Sequence, residues 1–150
     1  MTISARYFWD DFVQGERIPT SARLITEADH YAFCKLVGYE VPLFIDPEYA
    51  RTTPWGGIIC PSHLTMSFST AQTGPLFEHA LIALLAVERG RFLGPVRPGD
   101  TIRTEVEVVE KKETSKSDRG IVVFRDHVLN QRDETVFQLD KIAMLKRRPA

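Results

Sequence analysis

The chain has 150 residues, of which 43% are hydrophobic and 26% are charged, and its formal net charge is -1. A chain of this length and composition predicts one globular domain over residues 1–150. The near-zero charge argues against a nucleic-acid-binding surface, and no apolar run approaches the roughly 20 residues of a membrane span. The N-terminus lacks the basic-then-apolar order of a secretion signal, so we expect a cytoplasmic protein.

The first predicted helix covers residues 27–37. Thr26 is placed to cap the free amides at its start, and Asp29 follows three residues later, as in a capping box. Apolar residues then recur at helical spacing up to Val37, and Gly38 suits a left-handed helix end.

The two cysteines, Cys34 and Cys60, lie far apart in the sequence, and no histidine ladder has metal-ligand spacing. We therefore expect neither a disulfide framework nor a metal site, and interpret both cysteines as buried apolar residues.

Residues 39–59 are irregular, with three prolines and the Gly56-Gly57 pair, and we predict only one helical turn there, over residues 46–50. Loops of this length usually carry function. Pro61 is placed to open a second helix, from Ser62 to about Thr73, which has no charged residue. A helix without a charged face is expected to be buried nearly all round.

The rest of the chain predicts strands. An apolar run covers residues 80–87, and period-two patterns follow over 102–108, 121–129 and 136–145. This order predicts an α+β fold, with the helices on one face of an antiparallel sheet.

Four segments carry a family resemblance: ITEAD at 25–29, PLFIDPEYAR at 42–51, WGGIICP at 55–61 and FLGPVRPGD at 92–100. They resemble the MaoC-like family, which includes R-specific enoyl-CoA hydratases and 3-hydroxyacyl thioester dehydratases. The WGGIICP segment is similar to the N-terminal type of dehydratase domain, as in the non-catalytic half of heterodimeric mycolic-acid dehydratases. The resemblance implies a single hot-dog domain, in which a curved antiparallel sheet wraps around a buried central helix.

The same resemblance implies partners and cofactors. It implies binding of an acyl thioester of coenzyme A or of acyl-carrier protein, with no cofactor beyond the coenzyme A of the substrate. It also implies a homodimer, or a heterodimer with a second hot-dog subunit, in which the sheet edges of the two subunits meet.

The family's active loop, Gly-Asp-x-Asn-Pro-Leu-His, differs here in its reactive positions. Tyr39 occupies the position of the Asp, Val41 that of the Asn and Phe44 that of the His. In the family, the carboxylate and the imidazole hold the water that adds across the double bond. A phenol is a poor base at neutral pH, and a phenyl ring transfers no proton. The usual catalytic pair is therefore absent from this chain.

Two other residues are candidate substitutes. Glu40 lies beside the vacated Asp position, and His63 falls in the first turn of the central helix. Glu40 is also typical of an exposed loop, and His63 of a partly buried histidine bonded to backbone. Some candidate substrate-binding residues are expected near the thioester carbonyl, and the arginines are expected to bind phosphate groups. The candidates are Val41, Pro61, Ser62, His63, Thr70, Arg91 and Arg97.

The remaining histidines are assigned structural positions, with His30 and His79 on the surface and His127 on a sheet face. We expect the N-terminal aromatic residues either to pack in the core or to line an acyl channel together with three later phenylalanines. The N-terminal residues are Tyr7, Phe8, Trp9 and Phe12, and the later ones are Phe77, Phe92 and Phe124.

Our first hypothesis is an acyl-thioester-binding subunit of a hydratase or dehydratase, whose partner supplies the missing Asp and His. The alternative is a stand-alone hydro-lyase or acyl-CoA thioesterase with substitute residues, Asp46 being a further carboxylate candidate for hydrolysis. A sensor or structural homodimer that binds acyl-CoA is a third class.

Overall fold

The computed structural model describes residues 7–150, so the prediction about the extreme N-terminus falls partly on residues outside the described chain. A short 3-10 turn, Trp9–Asp11, comes first. The helices are α1 (Glu27–Val37), α2 (Pro42–Ile45), α3 (Pro47–Arg51), α4 (Ser62–Gln72) and α5 (Gly74–Phe77). The strands are β1 (Arg17–Pro19), β2 (Arg23–Leu24), β3 (Leu81–Phe92), β4 (Thr101–Glu113), β5 (Arg119–Leu129) and β6 (Thr135–Lys146).

Helix α1 has the predicted bounds and the predicted caps. The Asp29 amide donates to Thr26 Oγ1 at 3.0 Å, and the Thr26 amide donates to Asp29 Oδ2 at 3.1 Å. Gly38 ends the helix with a φ of 71°, which residues bearing a Cβ rarely adopt. The chain therefore leaves α1 in a defined direction, toward the loop that begins at Tyr39.

The strands form one antiparallel six-stranded sheet in the order β1-β4-β5-β6-β3, with β2 also paired to β4. Strands β4, β5 and β6 are joined as consecutive hairpins. Among residues 7–150, strand β3 pairs only with β6, and register shifts interrupt that pairing. One long edge of the sheet, along β3, is therefore open.

The core lies between the helices and one face of the sheet. In β4 the residues Ile102, Thr104, Val106 and Val108 are buried and alternate with partly exposed ones, as the period-two pattern predicts. Helix α4 contributes Leu64 to the cluster that contains Ile102 and Val128. The α+β prediction is confirmed.

The prediction that the central helix is buried nearly all round is wrong for the single chain. Helix α4 buries Leu64, Thr65 and Ser69, whereas its other side, including His63 and Thr70, is exposed. The sheet of one chain lies against one side of the helix only. Burial within the described part of the chain therefore does not account for the lack of charge on the other side.

Two further differences concern element bounds. The strand predicted over residues 80–87 continues to Phe92, because Glu88, Arg91 and Phe92 still pair with β6. The one-turn helices α2 and α5 were not predicted, since a single turn is too short to show helical periodicity.

The N-terminal aromatic residues pack in the core. Phe12 is 1% exposed and lies edge-on to Phe124, with ring centroids 5.0 Å apart. Trp9 covers Gly120 and donates to the carbonyl of Ile121 at 3.0 Å. This supports core packing over an acyl channel for Trp9 and Phe12. Within residues 7–150, no helix is long and apolar enough to cross a membrane.

Candidate functional site

The loop after α1 contains Tyr39 and Phe44, the two residues that the family resemblance matches to the catalytic pair. The Tyr39 amide donates to the Cys34 carbonyl at 2.9 Å, which closes the helix end. Pro42 then starts the single turn α2, which contains Phe44. The rings of Tyr39 and Phe44 meet with centroids 5.2 Å apart and planes tilted by 46°. Two aromatic side chains thus contact each other at the positions where the resemblance predicts a carboxylate and an imidazole.

His30, on helix α1, holds this loop through a hydrogen bond. Its Nε2–H donates to the carbonyl of Phe44 at 2.6 Å, and the residue is fully buried. The prediction that His30 lies on the surface is wrong, because the turn α2 folds back over α1 and covers it. Sequence reasoning missed this contact, since α2 itself was not predicted.

The start of α4 forms the second part of the candidate site. The Pro61 carbonyl accepts from the amides of Leu64 and Thr65, and no side chain caps the helix. Among the described residues, no acceptor takes the amides of Ser62 and His63. Free amides at a helix start can bind an oxygen on which negative charge develops.

His63 and Tyr39 share a cavity of about 340 Å³, which is also lined by Phe33, Val37 and Gly38. Both residues are exposed, so an imidazole and a phenol face the same space beside the helix start. Glu40 and Val41 are exposed loop residues and do not line this cavity. The structure therefore brings His63 to Tyr39 and leaves Glu40 outside.

A second cavity, of about 290 Å³, lies on the other side of the helix start. Ser62 and Thr65 line it together with Cys60 and the end of β3 at Phe92. Phe92 stacks on Phe137 with ring centroids 4.5 Å apart, and is itself 49% exposed. Burial, with smaller contributions from Asp100 and Cys34, raises the pKa of the Cys60 thiol to about 12. The Cys60 thiol, which lines this cavity, is therefore neutral at physiological pH and does not act as a nucleophile.

Thr70 lies far from the other candidate binding residues. It lines a third cavity, of about 440 Å³, at the opposite end of α4, with Thr73, Phe77 and Lys141 among the other lining residues. Helix α4 has 11 residues, so its two ends are roughly 16 Å apart. The structure does not bring Thr70 together with Ser62 and His63 in one cavity of the single chain.

The two candidate arginines differ in their surroundings. The Arg97 guanidinium donates to the carbonyls of Trp55 and Ile58 and so holds the segment with the glycine pair. Arg91 is exposed near the end of β3. Arg97 thus has a structural role in holding that segment. Phosphate binding by either arginine stays a prediction.

Sequence analysis missed a buried ion pair at the third cavity. Lys141 Nζ lies 2.7 Å from Asp126 Oδ2, and both side chains are almost completely buried. The signal was present, because both residues occupy inward positions of strands that are otherwise apolar on that face.

The fold is that of a hot-dog domain. It has a six-stranded antiparallel sheet with a central helix on one face, and the loop that begins at Tyr39 lies beside the start of that helix. The chain belongs to the MaoC-like family: the family model described as "MaoC like domain" matches residues 12–127. This confirms the family resemblance and the hot-dog expectation.

Relatives of known structure have the same fold over almost the whole chain. A monoamine oxidase regulatory protein from Archaeoglobus is 30% identical, with a TM-score of 0.88 over 96% of this chain and 97% of its own. A protein from Mycobacterium tuberculosis described as having a double hotdog fold shares the fold, with a TM-score of 0.86 at 21% identity. This chain covers 45% of that protein.

Among curated proteins, a mesaconyl-CoA hydratase from Cereibacter sphaeroides is 30% identical over 99% of this chain. The chain spans less than half the length of the curated relatives it matches first, 43% and 40%. Homologues of this chain thus include thioester hydratases and dehydratases, and some of them are about twice as long.

Proposed function

We propose that this protein is the acyl-thioester-binding half of a two-subunit hydratase or dehydratase, in which a second hot-dog subunit supplies the catalytic Asp and His. The observation that carries this proposal is the contact between Tyr39 and Phe44 at the dyad positions of an otherwise family-like loop. The scaffold and the free amides at the start of α4 are retained, while the groups that move protons are replaced.

The open edge of the sheet supports a paired assembly. Strand β3 exposes Leu81, Leu84, Leu85 and Val87, each 47–49% exposed. An unpaired strand with such side chains is a site for pairing with another strand. The uncovered side of α4 carries small hydroxyl side chains and no charged residue, so a second subunit can pack against it without burying a charge. Longer relatives, of which this chain spans less than half, also support a unit built from two such domains.

A second candidate is a stand-alone hydro-lyase that uses a substitute residue. The observation that favours it is the cavity shared by His63 and Tyr39, since an imidazole beside the helix start can transfer a proton. Glu40, the other substitute considered, does not line that cavity.

The test combines mass and activity. The protein is purified from its native cells, the subunits of the complex are weighed, and binding of crotonyl-CoA and loss of its enoyl absorbance are measured. We expect a heteromer that hydrates crotonyl-CoA, and an isolated chain that binds acyl-CoA without turnover. If the protein is instead a fully active homodimer and His63→Ala abolishes its activity, the second candidate function replaces the first. Release of free thiol instead would identify a thioesterase, and absence of acyl-CoA binding would overturn both candidates.

A further inference from the structure

The cavity at the end of α4 contains a buried charge that the proposed chemistry does not use. Its wall is mostly apolar, with Phe77, Phe124 and Leu84 among the lining residues. Lys141 also lines it, although its side chain is only 5% exposed. A lysine is almost never this buried unless it is paired, and here the partner is Asp126.

The hydrogen-bonding capacity of this pair is only partly filled. Lys141 Nζ donates to Thr73 Oγ1 at 3.1 Å and lies 2.7 Å from Asp126 Oδ2. An ammonium group has three N–H donors, so at least one remains even when the ion pair takes another. Within residues 7–150, neither carboxylate oxygen of Asp126 accepts a hydrogen bond of good geometry, and both are buried. Buried polar groups usually have partners, so the unused donor on the cavity wall points to a ligand oxygen.

The charge of the pair limits what that ligand oxygen can be. Lys141 is already neutralised by Asp126, so a ligand carboxylate would add a second anion to a buried site. Burial raises the pKa of Asp126 even though Lys141 opposes the shift, so burial at this site disfavours a negative charge. A hydroxyl or carbonyl oxygen accepts the spare N–H without that cost.

We propose that this cavity binds the distal end of an acyl chain that bears an uncharged oxygen, a hydroxyl or a carbonyl, which accepts a hydrogen bond from Lys141. This inference rests on the proposed function, since it assigns the substrate class of that acyl-thioester site. The apolar wall takes the methylene groups, and the buried pair selects for the oxygenated end. Lys141 is thus a specificity-determining residue and takes no part in proton transfer.

The open edge of the sheet explains how a chain reaches this cavity. Leu81 and Leu84, at the start of β3, line it. Phe92 and Leu93, at the end of β3, line the cavity at the start of α4. If two such strands pair antiparallel, the start of one lies beside the end of the other. A thioester held at the helix start of the partner subunit then extends its chain into the Lys141 cavity of this one.

The experiment measures binding of three saturated thioesters of one chain length to the purified complex by titration calorimetry. The probes are decanoyl-CoA, ω-hydroxydecanoyl-CoA and the CoA monothioester of decanedioic acid, none of which can be hydrated. We expect the hydroxyl to tighten binding about tenfold over the plain chain, as for a hydrogen bond to a charged group. The terminal carboxylate is expected to bind more weakly than the hydroxyl.

Replacing only one member of the pair leaves a buried charge and risks unfolding, so the test variant is the double replacement Lys141→Met with Asp126→Leu. Apolar replacement of a buried ion pair is often tolerated, and a thermal melt checks the fold. In this variant the preference for the hydroxyl should vanish while decanoyl-CoA still binds. Lys112→Met, an exposed lysine of β4, is the matched control and should keep the preference.

The outcomes separate the two proposals. Equal affinity for decanoyl-CoA and its hydroxy derivative, or a preference that survives in the double variant, overturns this inference and leaves the proposed function standing. If none of the three thioesters binds, the proposed function falls and this inference falls with it.

Discussion

Tyr39 and Phe44 contact each other through their rings, with 5.2 Å between the centroids. Gly38 turns the chain out of α1 before Tyr39, and His30 holds the carbonyl of Phe44. The resemblance matches these two residues to the family's proton-transferring pair. That match can be tested by introducing the family's Asp and His at the two positions.

The double replacement Tyr39→Asp with Phe44→His should create enoyl-CoA hydration in the isolated chain. A carboxylate and an imidazole would then stand beside the free amides of α4, and general acid–base catalysis contributes roughly 100- to 10,000-fold. The measurement is the loss of crotonyl-CoA absorbance against the unmodified protein. Tyr39→Asp with Phe44→Ala is the control, which opens the same space without an imidazole and should stay inactive.

His30→Ala should destabilise the fold by about 2–4 kcal/mol, because it removes a buried hydrogen bond and leaves a cavity under the loop. Urea unfolding followed by circular dichroism measures the change. His79→Ala, at a partly exposed histidine after α5, should change stability by no more than about 0.5 kcal/mol. Equal effects of the two replacements would show that the contact from His30 to Phe44 contributes nothing.

Gly120→Ala should cost about 1–3 kcal/mol through overpacking. A Cβ at this position would meet the indole ring of Trp9, which is held by a hydrogen bond to Ile121 and cannot simply swing away. Thermal unfolding is the measurement. At Gly94 the nearest atom to an added Cβ is 4.0 Å away, so Gly94→Ala serves as the tolerated counterpart.

The cap of α1 should make stability depend on acid pH. The backbone N–H of Thr26 is the main cause that lowers the pKa of Asp29 from its ordinary value of 3.8. The folded state therefore binds the Asp29 proton less readily than the unfolded state does. The stability that the Asp29 carboxylate contributes is fully present at pH values above its ordinary pKa of 3.8. It is lost as the pH falls through the lowered pKa of the folded state.

Asp29→Asn isolates this contribution. The stability difference between the natural protein and the variant, from urea midpoints, should be largest near neutral pH and shrink at pH values well below 3.8. A difference that stays constant across this range would contradict the assignment of the lowered pKa to the folded cap.

Leu85→Lys should weaken association of the protein with its partner subunit. Leu85 is 47% exposed on the open strand β3, and a lysine on an edge strand opposes strand pairing. Sedimentation should show smaller species at concentrations where the natural protein is assembled. Val13→Lys alters an equally hydrophobic residue, 62% exposed, outside the strands, and should leave the assembly intact.

Much of the architecture follows from local sequence patterns. The capping residues Thr26 and Asp29 and the terminal Gly38 predicted α1 with the observed bounds, because capping is decided within a few residues. The alternation in β4 likewise predicted which of its residues face the core. The short turns α2 and α5 left no such pattern, since one helical turn has no period.

The amino-acid sequence alone determined the family, and it predicted that Tyr39 and Phe44 stand at the positions of its reactive pair, since both inferences rest on short runs of residues. Only the tertiary structure decided that His30 is buried under that loop, that His63 faces Tyr39 while Glu40 does not, and that Lys141 meets Asp126. These contacts join residues on separate elements. Their distances are set by how the helices pack on the sheet, and no local pattern of side chains encodes that packing.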